Sequence, residues 1–415
     1  MRRGTWSPTN AVIHRRVGRS CFPWSSRRPG QGDQRRCVHD DITSSGRFEF
    51  SDDDLAALLG CVERVSDPGE LIAAIPALLG FHPSNSVVAL SLMGASASTL
   101  GPVMRHDYFP SVRGKPARQM SAALRQFAAV CDGEGARAVV LVVITDCSAA
   151  ETLIDETIEL AEVFEDMLGG TCVELADVLC TAAIESGQPW TSVMRSIHRG
   201  TLPDPASSSV AAAQVLGGRV IRRSREELVR WVHGAARNHD TIARLIASRR
   251  ESSAHRGGPS GETAVQRRID LVLEHVRRVE AGAHRPDPQE CADLVVALTD
   301  VRVRDVVLGL AITSVAAHAE QLWLVLTHEV PLPERAWPAT LLGFFAYVRG
   351  DGPLAGVALS AALSADSEHT LAGLLDLSLQ SGMRPDGIRD LAAVGLSIGE
   401  SLGITGLPPA LPNGS

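Results

Sequence analysis

The chain has 415 residues, 45% of them hydrophobic and only 4% aromatic, with a net charge of −8. That length allows two to three domains with sizeable, mainly aliphatic cores. No apolar run reaches the ~18 residues a membrane-spanning helix needs, and the acidic balance argues against a nucleic-acid binder as a whole, because duplex affinity rests on Lys and Arg neutralising phosphates.

Residues 1–50 carry Arg pairs, Pro, Gly and Ser without an apolar period, so a disordered tail is expected. Residues 1–47 hold ten Arg against three Asp. Two readings stay open: a basic arm for nucleic acid or anionic lipid, and a solvated tail or an extension from a misplaced start codon. The second is preferred, since Trp6, Phe22 and Trp24 are too sparse for a stacking platform. No apolar segment of a secretory signal follows the arginines. Eight cysteines without a C-x-x-C pair fit the reduced thiols of a cytoplasmic protein.

A short helix is predicted behind Ser51, with Asp54 three residues on and Leu55, Leu58 and Leu59 apolar. The next signal is stronger. Asp67 caps a helix, Pro68 takes its first position, Glu70 completes a capping box and Gly80 ends it. Strand one follows over 86–92, apolar on both faces and therefore interior. Strands are further predicted over 102–108, 138–145 and 172–179, with helices near 115–131 and 149–168. No helix separates strands one and two, so a hairpin makes them antiparallel. Strands two, three and four should run parallel through right-handed crossovers.

Residues 183–222 read as irregular, and Ser224 with Glu227 opens another helix. The polar stretch 251–261 reads as an inter-domain linker, and everything from Glu262 on is helical in pattern. The fold class expected is an α/β domain with a small mixed, mostly parallel sheet, followed by an all-α domain. In residue terms this is a tail (1–50), an α/β domain (51–182), a connector (183–261), a helical domain (262–403) and a flexible tail (404–415). The helices near 341–348, 353–363 and 370–379 resemble a tetratricopeptide hairpin, but no second copy follows at a period of about 34 residues, and a plain bundle is the alternative.

Several motifs fail on context. Gly133-Glu134-Gly135-Ala136-Arg137-Ala138 matches a dinucleotide fingerprint but precedes a strand instead of following one. Gly395-Leu396-Ser397-Ile398-Gly399 matches a nucleophile elbow but has no strand before it and no His after it. His239-Asp240 is a dyad without partners. One constellation survives. With strand one antiparallel to strands two and three, one sheet edge gathers His82, Asn85, Arg105, Asp107, Thr145 and Asp146. A His and two Asp have the chemistry for a divalent metal or for acid and base work. Against that, Asp146 can cap the following helix, and Arg105 can pair with Asp107.

Blocks of the sequence resemble a known family. Glu70-Leu71-Ile72 through Gly80-Phe81-His82-Pro83-Ser84-Asn85-Ser86 is similar to the opening of the bacterial domain of unknown function 4192. Gly101-Pro102-Val103-Met104-Arg105-His106-Asp107 and Val142-Val143-Ile144-Thr145-Asp146 resemble its next blocks. Leu202-Pro203-Asp204-Pro205, Ser224-Arg225-Glu226-Glu227-Leu228, Val303-Arg304-Asp305 and Gly350-Asp351-Gly352 resemble later ones. The likeness covers roughly 67–390 and implies a fold and a cytoplasmic bacterial setting, with no activity attached. The family often carries a cysteine cluster near Trp190, where residues 191–200 here have His198 and no Cys.

The function expected is a cytoplasmic small-ligand-binding or regulatory protein without catalysis, its ligand at the sheet edge and a protein partner on the C-terminal helices. The alternatives are a hydrolase or phosphoryl-transfer enzyme using His82, Asp107 and Asp146, and nucleic-acid binding through the Arg-rich tail. No metal is assigned, and cofactor and oligomeric state are left open.

Overall fold

A computed structural model describes residues 67–412 apart from 98, 112–114, 147–149, 195–197, 217–219, 235–237, 256–260 and 283–284. The N-terminal tail and the helix expected behind Ser51 lie outside the described residues. The first helix, α1 (Pro68–Leu79), starts where Asp67 Oδ1 accepts a hydrogen bond from the Gly69 amide at 2.8 Å. It ends at Gly80, whose φ of 70° is the left-handed conformation that glycine adopts without strain.

The sheet contains β1 (Ser86–Met93), β2 (Thr99–Asp107), β3 (Ala138–Ile144), β4 (Glu174–Thr181), β5 (Pro189–Ser192) and β6 (Arg199–Thr201). Their order is β2-β1-β3-β4-β5-β6. The mostly parallel sheet expected from the sequence is corrected by this pairing. β1 is antiparallel to both β2 and β3, β3–β4 is parallel, and β4–β5 and β5–β6 are antiparallel. The reason is the hairpin. It places β2 outside β1, so β3 pairs with the other side of β1 although β2, β3 and β4 do share one direction. Pro102 is tolerated because β2 is an edge strand, and its carbonyl accepts the Ser91 hydroxyl at 2.6 Å beside the register shift at Leu90/Leu92.

β1 and β3 are buried on both faces, as their unbroken apolar runs predict. Val87, Ala89, Leu141 and Val143 face α2 (Arg118–Gly133) and α3 (Ala150–Leu168) through Leu124, Phe127, Leu160 and Phe164. Val88, Leu90, Val140 and Val142 belong to a second cluster with Ile72 and Ile75 of α1. That cluster runs on without a break into the C-terminal helices.

Those helices are α4 (Ser209–Leu216), α5 (Arg225–His233), α6 (His239–His255), α7 (Glu262–Glu280), α8 (Pro288–Leu298), α9 (Val301–Leu308), α10 (Ala316–Glu329), α11 (Ala336–Val348), α12 (Gly352–Ala365), α13 (Thr370–Gln380) and α14 (Pro385–Ser401). α11 is buried at every position except the half-buried Trp337 and packs on α10 and α12. The described residues form one compact unit, and Trp190, Leu202, Leu228 and Val232 of the expected connector are part of the shared core. The stretch read as a linker is helical as far as His255. The tail expected to be flexible is held where Ala410 bridges to Thr313 and the Leu411 amide donates to the Ile312 carbonyl at 2.8 Å.

Leu141 is fully buried at the centre of the sheet. Leu141→Ala is expected to lower the unfolding free energy by about 2–5 kcal/mol, against about 1 kcal/mol for loss of the cap in Asp67→Ala. Urea midpoints measure both, and equal effects would contradict the packing described.

Candidate ligand-binding cleft

The register sets Ser86 opposite Asp107 on one side and Ile144 on the other. The sheet edge expected from the sequence therefore exists. Thr145 donates to Asn85 Oδ1 at 2.8 Å, and the Tyr108 amide donates to the Asn85 carbonyl at 2.8 Å. Asn85 has a φ of 43°, a conformation Asn tolerates better than most residues. Arg105 donates to Ser86 Oγ at 2.9 Å and pairs with Asp107 at 2.6 Å. Burial holds the Arg105 pKa below its usual value, with Asp107 offsetting part of that shift. Four of the six expected residues are thus bonded in two pairs. His82 is held through its backbone, its amide donating to the Arg222 carbonyl at 3.0 Å, and Asp146 is exposed beyond Thr145. Among the described residues no three His, Cys, Asp or Glu side chains are grouped to hold a metal ion. His198 packs edge-on against Trp190, with ring centroids 5.2 Å apart.

A cleft of about 740 Å³ lies elsewhere, and none of the six residues lines it. That volume is in the usual range for small-molecule sites. Its walls come from the end of α1 (Ala77 to Leu79) and Gly80, from Val220 and Arg222, from α5 (Leu228, Trp231) and from the start of α10 (Ala316, Ala317, Glu320). The ends of α11 and α12 add Val348, Arg349, Asp351 and Leu354, α14 adds Arg389, and the tail adds Leu411. Aliphatic side chains make up most of this surface.

Three arginines differ in how they are compensated. Arg349 grips Glu320 in a two-pronged contact (2.8 and 3.2 Å) and reaches Asp351 at 3.3 Å. Burial lowers its pKa, but those two carboxylates outweigh it and the net shift is upward. Asp351 is also tied to the Leu354 amide as the cap of α12. Arg222 lies over the face of Trp231, 4.1 Å from the ring centroid, a cation–π contact. Burial lowers its pKa, with Glu227 and Asp351 opposing from a distance. Arg389 donates to the Val348 carbonyl at 3.5 Å. Neither Arg222 nor Arg389 forms an ion pair with a carboxylate among the described residues.

The Trp231 platform is itself braced. His328 Nε2 donates to the Trp231 carbonyl at 2.7 Å. Gly234 follows with a φ of 59°, and a side chain there would meet the His328 ring at 2.3 Å, so glycine is required on both counts. Sequence reasoning missed Arg222, Trp231, Arg349 and Arg389. A cleft assembled from residues 77 to 411 has no local spacing to find, although the capped start of α5 at Ser224 and the Gly350-Asp351-Gly352 turn both border it.

A family model matches residues 68–386. The chain belongs to that family, Domain of unknown function (DUF4192). Nearly all of the cleft falls within the DUF4192 match, with Arg389 and Leu411 just beyond it. No curated protein and no solved structure gave a match. No helix among the described residues is long and apolar enough to cross a membrane.

Burial holds the His328 pKa below its usual 6.5, against opposing pulls from the Trp231 carbonyl and Glu329. The neutral ring is thus favoured by folding. Its stabilising contribution is complete above pH ~6.5 and is lost as pH falls through the lowered folded value. His328→Gln is expected to flatten the decline in unfolding free energy between pH 7 and 5, measured by urea titration against wild type. An unchanged slope would contradict the assignment.

Proposed function

We propose that this protein is a non-catalytic binding or regulatory protein whose small anionic ligand occupies the cleft beside Arg222, Trp231 and Arg389. The observation that carries this reading is two guanidinium groups in one cleft that form no ion pair with a carboxylate among the described residues, in a chain that is acidic as a whole. Placing cations in a half-buried cleft is costly unless something compensates them, and an anionic ligand supplies that compensation. Among the described residues the cleft lining contains no His, Cys or Lys, and its Glu320 and Asp351 are held by Arg349. That set suits binding better than acid and base work.

The sheet-edge residues are assigned to closing the sheet, since Asn85 is bonded to Thr145 and Arg105 to Asp107. The hydrolase alternative through His82, Asp107 and Asp146 is correspondingly less supported. A cytoplasmic setting accords with the free thiols of Cys131, Cys172, Cys180 and Cys291. Alkylation of the exposed Cys172 by iodoacetamide added before lysis checks it. A protein contact on the C-terminal helices is supported by two exposed apolar pairs, Leu374 with Leu377 and Leu391 with Val394. Sedimentation velocity of wild type against Leu377→Asp tests whether that contact is with a second copy.

A thermal-shift panel of carboxylates, phosphate esters and nucleotides at low salt tests the central reading. At least one anionic class should raise the melting temperature. Arg222→Ala and Arg389→Ala should each weaken its affinity about tenfold or more, the scale of a charge-assisted hydrogen bond. No shift with any anion, or equal shifts in both variants, would sink the proposal.

A further inference from the structure

Resting on the cleft as the binding site, we infer that its ligand carries a single anionic group on an aliphatic body, as a medium-chain carboxylate or an alkyl phosphate does.

Charge counting sets the first half. Among the described lining residues Arg222, Arg349 and Arg389 face Glu320 and Asp351, three positive charges against two, with Glu227 outside the lining acting on Arg222 from a distance. A carboxylate matches that excess, and a phosphate monoester, at about −1.5 to −2 near pH 7, exceeds it by less than a polyanion does. A second would have to sit near carboxylates that are fixed in place, Glu320 by its two-pronged bond to Arg349 and Asp351 by its bond to the Leu354 amide. Polyanions such as nucleoside triphosphates are disfavoured for that reason.

The state of the aromatic side chains sets the second half. The Trp231 face is already covered by Arg222. Phe345 is only 2% exposed and packs against Trp323 and Phe344. Phe345 therefore offers no open face for a base to stack on, and one face of Trp231 is taken by Arg222. The remaining wall is mainly aliphatic, with Leu78, Val220, Ile312, Ala317, Val348 and Leu411 beside the hydroxyls of Thr313 and Ser314. Val220 and Leu411 are 66% and 49% exposed, much more than their solubility favours, and a saturated chain would cover them.

Isothermal titration of the full chain with decanoate and with decyl phosphate, both below micelle formation, tests this. Decanol, acetate and ATP serve as controls. Decanoate or decyl phosphate should bind at one site per chain, and decanol and acetate should bind at least tenfold more weakly. The preferred headgroup distinguishes a carboxylate from a phosphate source. Arg389→Ala should weaken binding about tenfold, and Arg389→Lys should restore part of it. Ala317→Trp, at an exposed helix position on the cleft wall, should block the chain without altering charge. It keeps the test valid if an arginine variant fails to fold. Decanol binding as well as decanoate would overturn the inference. So would ATP binding in preference to decanoate with loss in Arg222→Ala, although the cleft reading would then stand. No binding by any of the five compounds would overturn both.

Discussion

Two backbone hydrogen bonds decide where this protein's cleft lies. The Arg222 amide donates to the Gly80 carbonyl at 2.8 Å, and the His82 amide donates to the Arg222 carbonyl at 3.0 Å. They form a short parallel bridge between Phe81 and Arg222. On one side of it, α1 leads into β1, the strand buried on both faces between β2 and β3. On the other, α5 begins two residues later at its Ser224 cap. The bridge thus anchors the helical half to an interior strand and brings the Arg222 side chain to the cleft. The left-handed turn at Gly80 makes the approach possible.

The fold was legible wherever one local rule dominated. Unbroken apolar runs marked β1 and β3 as interior strands. Asp67, Gly80 and Ser224 marked helix ends through side-chain and glycine chemistry that needs only a few neighbours. β5 and β6 were not legible. They are four and three residues long, too short for a period to show, and contain Pro189 and Gly200, which ordinarily argue against strands. The balance of parallel and antiparallel pairing was misjudged for a different reason. Alternating strands and helices report strand direction, and the directions of β2, β3 and β4 were right. They do not report which strands become neighbours, and inserting β1 beside β3 turned a parallel relationship into an antiparallel contact.

The candidate site shows the same division between local and distant information. Hairpin logic correctly brought Asn85, Arg105, Asp107 and Thr145 to one edge, where the polar groups satisfy one another. The cleft draws on residues from Ala77 to Leu411, and its character depends on which carboxylates reach which arginines. Arg349 sits beside the recognisable Gly350-Asp351-Gly352 turn, yet its partner Glu320 is 29 residues away. Whether a given arginine is compensated is a property of the tertiary structure. In this molecule that property separates Arg222 and Arg389 from Arg349.

The most direct test of the account is a crystal structure of the full chain grown with 10-bromodecanoate, with bromine located by anomalous scattering. The account predicts one bromine site along the aliphatic wall near Ile312 and Leu411, with the carboxylate bonded to Arg222 or Arg389. A carboxylate bound instead at the sheet edge beside Arg105, or an empty cleft at saturating ligand, would contradict it.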